Sequence, residues 1–219
     1  MATTSEGTMT ATSSSQNPTK ILDLDPLAWA KYFNYAVKAA LFISFFIAIV
    51  FQPDVVEGKA MAFRAPLFLA SAIIVPILGR TRKWKPYPHL GDALLALPFL
   101  LDTFGNLFGL YDNFVRTDDV LHFINWVLLV MAYQAFRYRN VHTNRDAIIL
   151  GYGFGAIAII LWEAMEWAVS EDGWGGAGGL QLTYSDTVGD LVISSTGGLI
   201  GAVAALAWFG AKKGLATEQ

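Results

Sequence analysis

The amino-acid sequence predicts an all-α, polytopic membrane protein: a bundle of six transmembrane helices with both termini in the cytoplasm. Of its 219 residues, 54% are hydrophobic and 15% are charged, and the mean hydropathy is +0.44. An average soluble domain is far less apolar. Six apolar runs each approach the roughly 20 residues that a helix needs to cross a bilayer. The chain has no cysteine, which excludes disulfide bonds and thiolate metal sites.

The composition divides the chain into three segments. Residues 1–30 are small and polar, and they predict a disordered cytoplasmic N-terminal tail. Residues 31–213 make up the predicted domain of six transmembrane helices, and 214–219 form a short C-terminal tail. The six apolar runs lie at 34–52, 62–79, 89–110, 119–137, 146–169 and 185–209.

Turn residues and charges separate consecutive runs. The breaks are Gln52 to Asp54, Gly79 to Lys83, Tyr111 to Asn113, Arg137 to Asn140 and the glycine-rich stretch from Gly173 to Gly179.

Basic residues give the predicted orientation, because they accumulate in cytoplasmic loops. Those after the second, fourth and sixth runs are Arg80, Arg82, Lys83, Lys85, Arg137, Arg139, Arg145, Lys212 and Lys213. The opposite loops hold only Lys59, Arg64 and Arg116. This distribution of basic residues predicts an even number of spans, with both termini in the cytoplasm.

Four consecutive spans carry polar pairs at helical spacing near their extracytoplasmic ends. The pairs are Asp102 and Asn106 in the third span, Asp118 and Asp119 with His122 in the fourth, Glu163 and Glu166 in the fifth, and Asp186 and Asp190 in the sixth. An acid at the centre of a membrane helix costs roughly 2.5 to 3.5 kcal/mol. Residues three or four apart share a helix face, so these faces are expected to converge on a polar cavity.

These side chains suit a divalent cation. The predicted metal ligands are Asp102, Asp119, His122, Glu163, Glu166, Asp186 and Asp190. Oxygen ligands with one imidazole favour Mg²⁺, Mn²⁺ or Ca²⁺, while Zn²⁺ or Fe²⁺ fits this set less well. In an enzymatic version, Glu163 or Glu166 would be the catalytic residue, acting as general base on a metal-activated water. Whether the protein is an enzyme stays open.

Other functions are compatible with the same residues. The acids can form a purely structural network of hydrogen bonds, or they can relay protons or cations in a transporter. Intramembrane metalloproteases also combine paired glutamates with a histidine, but here the glutamates are three residues apart and the histidine precedes them. No nucleotide-binding or nucleic-acid-binding pattern is present, and nothing indicates an oligomeric state.

Four further features receive structural interpretations. Lys38 is expected to extend its charge to the cytoplasmic interface, and Asp92 to cap the third helix there. Arg116 is the cation placed nearest the acids, where it either pairs with Asp112 or Asp118 or binds an anion. The small residues Gly151-x-x-x-Gly155 and Gly197-x-x-x-Gly201 predict close helix packing.

Three motifs resemble a known family. Asp118 to Phe123, Trp162 to Trp167, and Asp186 to Asp190 followed by Gly197 to Ala202 resemble in order and spacing the bacterial inner-membrane YjdF family. That family is similar to the VanZ-like proteins, which are associated with altered susceptibility to glycopeptide antibiotics. The resemblance covers residues 89–205.

The resemblance implies a multi-pass protein of the bacterial plasma (inner) membrane with a role in the cell envelope. Together with the acidic residues, it predicts an extracytoplasmic-facing site that binds a divalent cation. The expected partners are the lipid bilayer and a lipid headgroup or cell-envelope precursor.

Overall fold

The computed structural model describes residues 28–57, 59, 61–138, 141, 143–170 and 183–217. Most of these residues are helical and none forms a strand, so the predicted all-α class is confirmed. The helices are α1 (Ala28–Phe46), α2 (Met61–Thr81), α3 (His89–Leu107), α4 (Leu110–Asn113), α5 (Thr117–Arg137), α6 (Asn144–Val169) and α7 (Tyr184–Thr217). A π-helical turn, Ile47–Phe51, prolongs α1, and a short 3₁₀ helix, Asp54–Val56, follows it. The predicted N-terminal tail lies outside the described residues up to position 27.

Five of the described helices are long and apolar enough to cross a membrane: α1 with its π-helical turn, α3, α5, α6 and α7. The second apolar run does not give a helix of this length: the apolar part of α2, Pro66–Thr81, is shorter than the five candidate spans. The count of six spans and the cytoplasmic location of both termini therefore stay predictions.

Helices α5, α6 and α7 alternate in direction. His122, near the start of α5, lies beside Asp190, near the start of α7. Gln134, near the end of α5, donates a hydrogen bond to the carbonyl of Ala147 in the first turn of α6. We call the end of the bundle that holds His122 and Asp190 the acidic end.

Helix α7 approaches α5 at its glycines, as the small-residue pattern predicts. A Cβ atom built at Gly201 would lie 2.6 Å from the carbonyl oxygen of Val127, and one at Gly197 would meet the carbonyl of Phe123. At Gly155 in α6, the same atom would lie 2.9 Å from the side chain of Val130. Because these glycines have no side chains, α6 and α7 can pack closely against α5. This packing sets the positions of the acidic residues on α6 and α7.

An apolar layer joins α1, α2 and α3 in the middle of the bundle. Its buried members are Val37, Leu41, Ala72, Ala96 and Leu100. Lipid tails are as apolar as these side chains, so the layer stabilises the bundle mainly through van der Waals packing between the helices. On α3 this layer separates Asp92, in the first turn, from Asp102, near the end.

The predictions for Lys38 and Asp92 are wrong. Asp92 is fully buried, and its Oδ2 accepts hydrogen bonds from Lys38 Nζ at 2.5 Å, Tyr87 OH at 2.6 Å and Asn34 Nδ2 at 2.8 Å. Lys38 therefore points into the bundle, because a buried charge needs an opposite charge and hydrogen bonds. Burial raises the pKa of the Tyr87 hydroxyl, and its hydrogen bond to Asp92 raises it further.

Candidate functional site

A cavity of about 300 Å³ lies at the acidic end. Its polar lining comes from the region between α1 and α2 and from helices α2 to α7: Lys59, Arg64, Asp102, Asn106, Tyr111, Asp118, His122, Asn125, Glu166, Asp186 and Asp190. The structure thus brings together residues from all four of the predicted polar pairs. Among the predicted metal ligands, Asp102, His122, Glu166, Asp186 and Asp190 line the cavity, and Asp186 is exposed at its mouth.

His122 is the centre of the acidic cluster. Its buried imidazole has Nδ1 at 3.0 Å from Ser194 Oγ and 4.0 Å from Asp190 Oδ1, while Nε2 lies 3.7 Å from Asp118 Oδ1. Two triads of ligand atoms include this residue: Asp118, His122 and Asp190, and His122, Glu163 and Glu166. Within each triad the atoms lie within 4.8 Å of one another. Small side-chain movements would bring either set to the distances of about 2.0 to 2.6 Å at which cations bind.

Glu163 lies behind the cavity wall, against His122. Glu163 is only 6% exposed, and neither of its carboxylate oxygens has a hydrogen-bond partner among the described residues. Glu166 is three residues away and shares its helix face. A buried carboxylate without a partner is strongly unfavourable. The position therefore calls for a proton or a cation.

Asp102 lies in a different network from that of His122. Its carboxylate accepts hydrogen bonds from Arg64 Nη1 at 3.2 and 3.4 Å, from Tyr111 OH at 2.6 Å and from Asn106 Nδ2 at 3.3 Å. Burial raises the pKa of the Tyr111 hydroxyl well above its usual value, and the neighbouring Asp102 carboxylate adds to the effect. With these donors around it, Asp102 serves to hold Arg64.

Asp119 is the predicted ligand that the structure brings neither to the cavity lining nor to the two triads around His122. Its carboxylate accepts a hydrogen bond from Arg116 at 3.3 Å, and its side chain is 41% exposed. Asp118 takes the cavity position instead. Both aspartates have helical spacing to His122, so spacing alone could not distinguish them.

The expectation for Arg116 is also corrected. It is neither the cation nearest the buried acids nor paired with Asp112 or Asp118, since Arg64 contacts Asp102 inside the bundle and Lys59 pairs with Asp112 at 2.5 Å. The sequence interpretation counted Arg64 with the loops, but it is the one arginine inside the apolar run at 62–79, and that position could have identified it.

The deeper part of the cavity is lined mainly by aromatic and aliphatic side chains, with Asn125 as a polar residue among them. Phe99 precedes Asp102 on α3, Trp126 follows His122 on α5, and Trp162 precedes Glu166 on α6. Given the helix directions, each ring lies about one helical turn further from the acidic end than its polar neighbour. The rings of Phe99 and Trp162 are in contact, with centroids 6.4 Å apart. The cavity therefore has a charged outer part and an aromatic inner part.

Residues 34–211 match a protein family described as "Predicted membrane protein (DUF2238)". The chain belongs to this family. No curated protein and no solved structure matches it. Together with the five apolar helices, the match identifies a multi-pass membrane protein.

The matched region includes every residue of the cavity. From the sequence, neither Arg64 nor Ser194 was assigned to the site, and Asp118 was placed on a converging helix face but not among the metal ligands. Ser194 follows Asp190 by four residues on α7, and that spacing is the only signal that placed its hydroxyl near His122.

Proposed function

We propose that the cavity binds a divalent cation. The observation that carries the proposal is Glu163, whose two buried carboxylate oxygens have no partner among the described residues and lie beside His122. A cation would neutralise this carboxylate together with Glu166, and Asp118 and Asp190 complete the available ligands. Of the residues predicted from the sequence, His122, Glu163, Glu166 and Asp190 keep this role, while Asp186 lies at the mouth.

The ligand chemistry favours Mg²⁺, Mn²⁺ or Ca²⁺. Carboxylate oxygens dominate the set, and hard cations prefer oxygen ligands. The single imidazole is compatible with Mn²⁺ in particular. Ser194 contacts Nδ1 of His122 and so fixes the plane of the ring, as outer-shell partners do for metal-binding histidines.

The proposal includes a place and a partner for this site. In a YjdF-like protein of the bacterial inner membrane, related to the VanZ-like proteins, the acidic end faces the extracytoplasmic side. There the cation would engage a lipid headgroup or a cell-envelope precursor. The cavity lies near the ends of apolar helices, where the headgroup region of a bilayer would be expected, and this position supports the partner.

The apolar layer on α3 favours a binding site over a transport pathway. Leu41, Ala96 and Leu100 lie between the acidic end and the buried group formed by Asp92, Lys38, Asn34 and Tyr87. A proton or cation relay needs polar groups or water at successive positions across the membrane. A structural network without an ion is the remaining alternative, and the experiment below distinguishes it.

The test is a titration of purified, EDTA-treated protein with MnCl₂, followed by calorimetry and thermal unfolding. We expect the wild type to bind Mn²⁺ and to gain about 2.7 kcal/mol of stability at a free concentration 100 times Kd. The double variant Glu163→Gln, Glu166→Gln should lose both effects. The control Asp119→Asn removes a neighbouring acid that does not line the cavity, and it should behave as the wild type.

The cation is excluded if the wild type binds none of Mn²⁺, Mg²⁺ and Ca²⁺ and gains no stability from them. In that case a structural network is supported, and neutral glutamines at both positions should leave the protein as stable as before or more so.

A further inference from the structure

We infer that the cavity binds the phosphate group of an amphiphile between the cation proposed above and the guanidinium of Arg64. This inference rests on the proposed function. Neither the family nor the acidic cluster assigns a role to this arginine.

Arg64 is placed to bind an anion inside the bundle. Its side chain is 11% exposed and lines the cavity. Only Nη1 donates to Asp102, and among the described residues the Nε and Nη2 groups donate no hydrogen bond. The planar guanidinium matches two phosphate oxygens at once, so these N–H groups suit a phosphate at the cavity face.

The network around Asp102 keeps the guanidinium in place. Tyr111 and Asn106 donate to the same carboxylate that accepts from Arg64. Asp102 therefore acts as a positioning residue, because its own hydrogen-bonding capacity is taken up by these donors. An arginine held in this way loses little conformational entropy when it binds a ligand.

The charge of the lining makes phosphate binding depend on the cation. The acids Asp102, Asp118, Glu166, Asp186 and Asp190 outnumber the cationic side chains, Lys59 and Arg64. A phosphate would be repelled by this excess of carboxylates. A divalent cation at His122 removes two of these charges and offers a direct contact to a phosphate oxygen.

The aromatic inner part favours an amphiphile over free phosphate. Phe99, Trp126 and Trp162 offer apolar surface about one turn below the charged groups. Inorganic phosphate would leave this surface unused. A lipid-like molecule would occupy both parts, since its phosphate meets the charges and its apolar portion meets the rings.

The experiment measures binding of dihexanoyl phosphatidate to the Mn²⁺-loaded protein by calorimetry, with the titration into protein-free buffer subtracted. Inorganic phosphate and dihexanoyl glycerol are the two comparison ligands. We expect phosphatidate to bind at least tenfold more tightly than either, and to bind at least tenfold more weakly after EDTA treatment.

Two arginine variants test the residue. Arg64→Lys keeps a charge beside Asp102 but loses the planar donor pair, so the affinity for phosphatidate should fall about tenfold or more while Mn²⁺ binding is kept. Arg116→Gln is the matched control, because this arginine lies at the same end, is 85% exposed and does not line the cavity. It should bind phosphatidate as the wild type does.

The outcomes separate this inference from the proposed function. A wild type that binds Mn²⁺ but not phosphatidate overturns the inference and leaves the cation site standing. Equal affinity for inorganic phosphate overturns the amphiphile, and unchanged affinity in Arg64→Lys overturns the role of the arginine. A wild type that binds no cation overturns the proposed function and this inference with it.

Discussion

Replacing Gly201 with alanine should force α7 away from α5. The added Cβ would lie 2.6 Å from the carbonyl oxygen of Val127 and 3.0 Å from its Cα. Both atoms belong to the backbone of α5, so no side-chain rotation can relieve the contact. The two helices must separate by several tenths of an ångström.

The expected loss follows from two opposing contributions. Overpacking of this kind costs about 1 to 3 kcal/mol, and alanine returns up to about 1 kcal/mol of helix propensity. Gly201→Ala should therefore lower the free energy of unfolding by up to about 2 kcal/mol. Gly153→Ala is the control, because a Cβ at Gly153 has nothing within 4 Å, and it should raise stability by about 0.5 to 1 kcal/mol.

The assay is reversible unfolding of both variants in mixed micelles with increasing sodium dodecyl sulfate, followed by circular dichroism. Gly201→Ala should unfold at a lower detergent fraction than the wild type, and Gly153→Ala should not. Equal stability of the two variants would refute the close contact between α5 and α7.

Two further predictions concern groups that are not among the proposed cation ligands. Removing one member of the buried Lys38–Asp92 pair, by Lys38→Met or Asp92→Asn, should lower the free energy of unfolding by about 3 to 5 kcal/mol, because the remaining charge is left buried without its partner. The double variant should lose less than the sum of the two single losses. The same unfolding assay measures these losses, and wild-type stability of either single variant would contradict the pairing. The raised pKa of the Tyr111 hydroxyl makes the stability of the protein depend on pH in the alkaline range. The unfolded chain releases the hydroxyl proton at about pH 10, while the folded chain keeps it. The contribution of Tyr111 to stability is therefore complete below pH 10 and is lost as the pH rises towards the pKa of the folded state. Tyr111→Phe should therefore lose less stability than the wild type between about pH 10 and pH 11, and parallel profiles would count against the burial of the hydroxyl.

Periodic features of the sequence predicted most of the fold. Apolar runs gave the helices, because one long apolar segment is sufficient evidence for one membrane helix. Helical spacing also predicted that Glu163, Glu166 and Asp190 face the interior, since the cost of an exposed acid in lipid leaves few alternatives. Gly197 and Gly201 predicted the close contact of α7 in the same local way.

Contacts between distant segments could not be predicted in this manner. Lys38 and Asp92 are 54 residues apart, and each has a plausible local role at its own helix end. Asp118 and Asp119 have equivalent spacing to His122, and only the rotation of α5 against α7 decides which one enters the cavity. Both contacts depend on how the helices pack against one another, and the spacing of residues along a single sequence does not show this packing.

The apolar layer on α3 has a consequence for the compartment that controls the site. The cavity opens at the acidic end, where Asp186 is exposed, and Leu100 and its neighbours pack on α3 deeper in the bundle. The cation proposed above would exchange through this opening. Its occupancy would then follow the ion concentration in one compartment, and a gradient across the membrane would do no work at the site.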